Sequence, residues 1–158
     1  MKPIRARLRR DRRGSVSVEL ALVSAFFLIP LTLGGWDGLF ALAARYQTNA
    51  ALHTLYYFAW SNPSDATNTA DLQTLLGAIN QTAIAPISLS TNYPRSPPPE
   101  CLQPDGSSTA TTSDGTCPTG TLETMVTYQI TASVDLPFAI PAFSNPITLT
   151  TGGTVRIQ

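Results

Sequence analysis

The chain has 158 residues, 43% of them hydrophobic and only 13% charged, and its ten basic side chains balance ten acidic ones. That length fits one modest domain once a membrane segment is set aside. The neutral total hides an asymmetry that argues against nucleic-acid binding: Lys2, Arg5, Arg7, Arg9, Arg10, Arg12 and Arg13 crowd the first thirteen positions, and no basic or aromatic pattern downstream extends their footprint.

Past Gly14 the chain keeps three basic residues (Arg45, Arg95, Arg156) against nine acidic ones. A basic cluster directly before an apolar run is the positive-inside pattern, which predicts a cytoplasmic N-terminus and an outward body. Residues 16–36 form that run, about 31 Å of helix and a match to a bilayer core. Trp36, followed by Asp37, marks the expected outer interface. Pro30 lies inside the run, where proline either kinks the helix or is accommodated by neighbours. Glu19 is the one charge near its entrance. An acidic residue deep in a transmembrane helix costs about 2.5–3.5 kcal/mol, so such a residue points to function.

Helical spacing continues beyond the membrane on two faces. Leu39, Leu42, Ala43, Tyr46 and Ala50 form one, and Leu52, Leu55, Tyr56 and Ala59 another, until Ser61-Asn62-Pro63 ends the run. A helix over residues 15–60 is predicted. After a polar link at 62–69, Leu72, Leu75, Leu76, Ile79 and Ala83 make a core-facing stripe on a second helix near 70–83, with Asp71 in its first turn.

Residues 96–121 are dominated by Ser, Thr, Pro and Gly and are expected to form an extended surface loop without regular structure. Cys101 and Cys117 lie in it. An even pair in an outward segment favours an oxidising compartment such as a bacterial periplasm, and a disulfide over a metal site, which needs more ligands than two cysteines and the distant His53. Closing fifteen intervening residues is worth about 3 kcal/mol in the chain-entropy model.

The C-terminal third changes period. Val126, Tyr128, Ile130, Ala132 and Val134 alternate with Thr127, Gln129, Thr131 and Ser133 as in a half-buried strand. A proline-punctuated apolar connection follows at 137–141. Then comes a strand at 147–151, which resumes at 154–157 after Gly152-Gly153. The expected architecture is α+β: a basic leader (1–14), a long transmembrane and amphipathic helix (15–60), and a head (61–158) pairing a second helix with an antiparallel sheet.

Catalysis finds no foothold in the sequence. His53 sits in helical pattern between Leu52 and Leu55, and there is no Gly-x-Ser-x-Gly, phosphate-cradling glycine loop or His/Cys ligand cluster. No catalytic residue, metal site or cofactor is expected.

The leader ending in Gly14, the small residue Ser15, Glu19 five positions after the glycine, and the long apolar helix resemble type IV prepilins. The run Arg13-Gly14-Ser15-Val16-Ser17-Val18-Glu19-Leu20 is similar in more detail to TadE-like minor pseudopilins of the tight-adherence (Tad/Flp) pilus system. Leu20 stands where many members carry an aromatic residue. The threonine-rich C-terminus is a weaker point of likeness, and the cysteine loop matches no motif of the family. The resemblance implies cleavage between Gly14 and Ser15 by a prepilin peptidase. It further implies pairing of Glu19 with the new Ser15 amine of a neighbouring subunit, which fixes axial register. The implied partners are other pilin and pseudopilin subunits through the N-terminal helix, the peptidase and the inner membrane. The head would lie in the periplasm, and on the cell surface once assembled. Two alternatives stand beside this: an uncut, membrane-anchored periplasmic interaction protein, and a secreted domain released after Ala41-Leu42-Ala43.

Overall fold

The computed structural model describes residues 13–138 and 144–157. Most of the basic leader and the later part of the 137–141 connection lie outside them. The helical rod begins with α1 (Arg13–Val23), passes through a π-helical turn (Ser24–Leu28) and continues as α2 (Ile29–Ser61). From Val16 to Ser61 it runs 46 residues, about 69 Å. Mean hydropathy reaches 2.1 over its most apolar 18-residue window, no part of which is buried against the rest of the chain. This helix is therefore long and apolar enough to cross a membrane.

The π-turn has a local cause. Pro30 has no N–H, and its ring presses on the carbonyl four residues back. Directly upstream the chain widens, so that the Ile29 N–H reaches the Ser24 carbonyl, five residues back rather than four. Two residues on, the Thr32 hydroxyl donates to the Leu28 or Ile29 carbonyl at 2.9 Å, which satisfies it within its own helix in the apolar stretch.

Asn62 breaks the rod with an extended backbone, and a 3-10 turn (Pro63–Asp65) leads to α3 (Thr69–Asn80). Asn68 caps α3: its Oδ1 accepts from the Ala70 N–H at 3.1 Å, while its Nδ2 donates to Asp71 at 2.6 Å. The helix ends at Asn80 rather than near Ala83. There its side chain leaves helical use, donating to the Ile87 carbonyl and accepting from the Ile87 N–H, both at 2.8 Å.

Two three-stranded antiparallel sheets complete the head. The larger has the order β1 (Ile87–Leu89), β5 (Met125–Val134), β6 (Ile147–Arg156). The smaller has the order β3 (Ser108–Ala110), β2 (Glu100–Leu102), β4 (Thr121–Glu123). The core forms where α2 crosses β5. Ala44, Ala51, Leu52, Leu55 and Ala59 meet Val126, Tyr128, Ile130, Ala132 and Val134, and Leu72 and Leu76 of α3 close one side. The period-2 pattern of β5 is realised at every step, with its even residues buried.

Two expectations are corrected. Residues 96–121 are not structureless: they contain β2, β3 and the start of β4. The turn Gln103-Pro104-Asp105-Gly106 reverses the chain, with the Gly106 N–H on the Gln103 carbonyl at 2.9 Å and Gly106 at φ 84°. The Asp105 carboxylate holds the far side through the Ser107 N–H and hydroxyl. Nor does the last strand stop at Gly152-Gly153. Its register with β5 is unbroken from Ile147 to Arg156. A side chain at 152 would collide with the Tyr128 carbonyl, and one at 153 with the Tyr56 hydroxyl, so the glycines admit close neighbours instead of breaking the strand.

Candidate functional site

Glu19 lies on the second turn of the described rod, exposed, among Val16, Val18, Leu20 and Leu22, which are all exposed as well. Among the described residues no cation pairs with it; the single ion pair there joins Arg156 to Glu123. Gly14 and Ser15 belong to the opening turn of α1, so the helix runs unbroken across the bond between them. Ser15 and Glu19 are four positions apart on the same helix. The register pairing foreseen for them is between chains, and a single chain leaves it open.

The two apolar faces foreseen on the outer half of the helix have different fates. The face of Leu52, Leu55 and Ala59 packs on the sheet. On the opposite side Leu39, Leu42, Tyr46, Tyr57 and Trp60 stay exposed, each by more than 60% of its surface. They continue the exposed apolar surface of the N-terminal part of the helix past Trp36, with no charged residue among them but Arg45 at the margin.

Asp37, which follows Trp36 at the expected outer interface, is 3% exposed and turned into the head, where its Oδ1 accepts from the Phe138 N–H at 3.2 Å and its Oδ2 has no partner among the described residues. Sequence spacing held the signal: Asp37 stands seven and eleven positions before Ala44 and Thr48, on their buried face. The carboxylate thus ties the chain after β5 to the helix where the span ends.

Cys101 and Cys117 are joined in a disulfide, with Cys101 fully buried. The bridge fastens the centre of the small sheet to the loop before β4. At the far end of β4, Glu123, almost completely buried, binds Arg156 of β6 at 2.5 Å and so links the two sheets. His53 is exposed and packs edge-on against Tyr56, ring centroids 5.8 Å apart. Among the described residues no three His, Cys, Asp or Glu side chains gather as metal ligands would. No family model, curated protein or solved structure matches the chain.

Proposed function

We propose that the protein is a minor pseudopilin of a tight-adherence type pilus, anchored in the inner membrane, trimmed between Gly14 and Ser15, and acting in pilus assembly or initiation through its N-terminal helix. The observation that carries this reading is the unbroken apolar rod. One face of its outer half holds the head, while the other leaves Leu39, Leu42, Tyr46, Tyr57 and Trp60 each more than 60% exposed. A chain built only to anchor a soluble head has no use for about 30 Å of apolar helix surface beyond the bilayer. A neighbouring helix of the same kind does.

In a bundle of such helices Glu19 would sit at low dielectric, where an unpaired carboxylate is costly. The Ser15 amine created by cleavage would neutralise it only in one axial register. The scissile bond lies near the start of the described part of α1 and would have to unwind from the helix to enter a peptidase.

The helix running unbroken across Gly14-Ser15 supports a second reading, an uncut anchor whose head binds a periplasmic partner. Intact mass of the protein from its native membrane separates the two. A mature N-terminus at Ser15 supports the pseudopilin; one at Lys2 or Ala44 refutes it. Gly14→Arg should block trimming, whereas Glu19→Ala should leave trimming intact and abolish incorporation into sheared fibres. Normal piliation with Glu19→Ala would overturn the register argument.

A further inference from the structure

β6 is an edge strand, bound to β5 along one side only. Which of its backbone groups face outward follows from one hydrogen bond. The Ile157 N–H donates to the Thr124 carbonyl, and antiparallel pairing alternates, so the odd residues of β6 turn their N–H and C=O toward β5. The other side of β5 agrees, since there the odd residues Thr127 and Gln129 bond Arg95 and Ser90. Thr148, Thr150, Gly152, Thr154 and Arg156 therefore each aim a backbone donor and acceptor away from the sheet.

The two edges of this sheet are treated differently. At β1 the Asn80 side chain covers the outward N–H and C=O of Ile87. At Thr148, Thr150, Gly152 and Thr154 of β6 no described group does the equivalent, and the ten paired residues contain no proline and no bulge. Natural sheets blunt such edges because they template further strands. Beside this edge runs a groove shared with α2. Arg45 and Asn49 lie against residues 148–151, and His53, Tyr57 and Trp60 against residues 154–156.

We propose that the β6 edge receives an extended segment of a different polypeptide as a fourth strand of the sheet. A second copy of this chain does not fit. The groove shows that α2 and β6 run in the same direction, so antiparallel pairing of two β6 edges would point the two membrane helices oppositely. That exclusion rests on the membrane reading above. Parallel pairing about a two-fold axis sets outward-aimed residues opposite one another, whereas a parallel ladder needs them offset. The β1 edge of a second copy is capped by Asn80. The groove also sets the incoming side chains: a carboxylate for Arg45 and an apolar group for the aromatic end. Arg45 and Tyr57 are about 18 Å apart along the helix. At about 3.3 Å per residue that is five to six strand residues, and a shared face requires the even number, six.

The full chain in detergent micelles can be probed with a capped threonine nonapeptide carrying glutamate at its second position and leucine at its eighth. Amide exchange at residues 148, 150, 152 and 154 should slow at least about tenfold on its addition. Thr150→Pro should abolish that protection without shifting the melting temperature, since the N–H it removes does not belong to the β5 ladder. Moving the leucine to the seventh position should weaken binding. No protection at millimolar peptide, or equal protection in Thr150→Pro, would overturn the proposal. A photoreactive residue at position 150 in producing cells should cross-link to another polypeptide in an extended segment with that acid–apolar spacing. Cross-linking to β6 of the same protein would overturn it. Neither readout depends on cleavage at Gly14, so an uncut protein that passes both refutes the processing reading and leaves this one standing.

Discussion

Tyr128→Phe tests how the head is held together. Tyr128 is the largest fully buried side chain, and its hydroxyl donates to the Ala66 carbonyl at 2.6 Å, linking β5 to the turn before α3. Removing the hydroxyl leaves that carbonyl without its donor in a dry site, a loss of about 1–2 kcal/mol. For a chain of this size the melting temperature should fall by about 2–8 °C. The same hydroxyl predicts an alkaline signature. Burial raises its pKa from 10.0 to about 12, because the phenolate would be stranded away from water. A group whose pKa is higher in the folded state contributes stability that is complete below its unfolded value and is lost as pH rises through its folded one. The wild type should therefore lose about 2 kcal/mol between pH 10 and 12 that Tyr128→Phe does not lose. The remaining tyrosines titrate in both proteins and cancel in the comparison. Circular-dichroism melts from pH 7 to 12, with short exposures at the alkaline end, would show two curves converging. Curves that stay parallel, or a variant melting within about a degree of wild type at pH 7, would refute the account.

Asn80→Ala should cost about 1–2 kcal/mol, seen as a lower denaturation midpoint, because it strips both backbone partners from Ile87. It should also uncap the β1 edge and raise self-association on sedimentation. Cys101→Ser should cost about 3 kcal/mol, and its loss should be confined to exchange protection in β2–β4, since the bridge joins the centre of that sheet to its own β3–β4 loop. Asp37→Ala should loosen the chain at Phe138 and raise proteolysis after β5, whereas Asp37→Asn, which keeps an acceptor for the Phe138 N–H, should restore resistance.

The elements that could be read from the sequence are those whose burial repeats with a fixed period. β5 announced itself through five alternating apolar residues, α3 through its leucine stripe, and the rod through composition alone. Missed features depend on single side chains serving distant backbone. Composition alone makes residues 96–121 a loop, although Pro104-Asp105-Gly106 is a turn signal with a strand on either side of it. Gly152-Gly153 was read as a break because glycine weakens strands, but what passes there is Tyr56 on one residue and the Tyr128 carbonyl on the other. Asp37 was placed by its neighbour Trp36, when its helical phase already put it on the face of Ala44 and Thr48.

The helix and the β6 edge also differ in what a sequence can reveal about assembly. Hydropathy marks a helix face as apolar but names no register; under the proposed function Glu19, through its charge, would select one axial position out of many. A strand edge is silent in the sequence, since every residue carries the same backbone donor and acceptor. Its orientation here depends on the Ile157–Thr124 hydrogen bond, and its availability on Asn80 guarding the opposite edge. The two surfaces therefore specify neighbours by different means. Were the rod seated in a membrane as proposed, that membrane would fix the polarity of neighbouring helices, and the β6 edge, which runs alongside α2, could not take an antiparallel copy of itself. Of the two edges of the larger sheet, β1 is capped by Asn80. The fourth strand proposed at β6 would then come from a chain unlike this one, which is the asymmetry expected of a subunit that begins or ends an assembly rather than repeating along it.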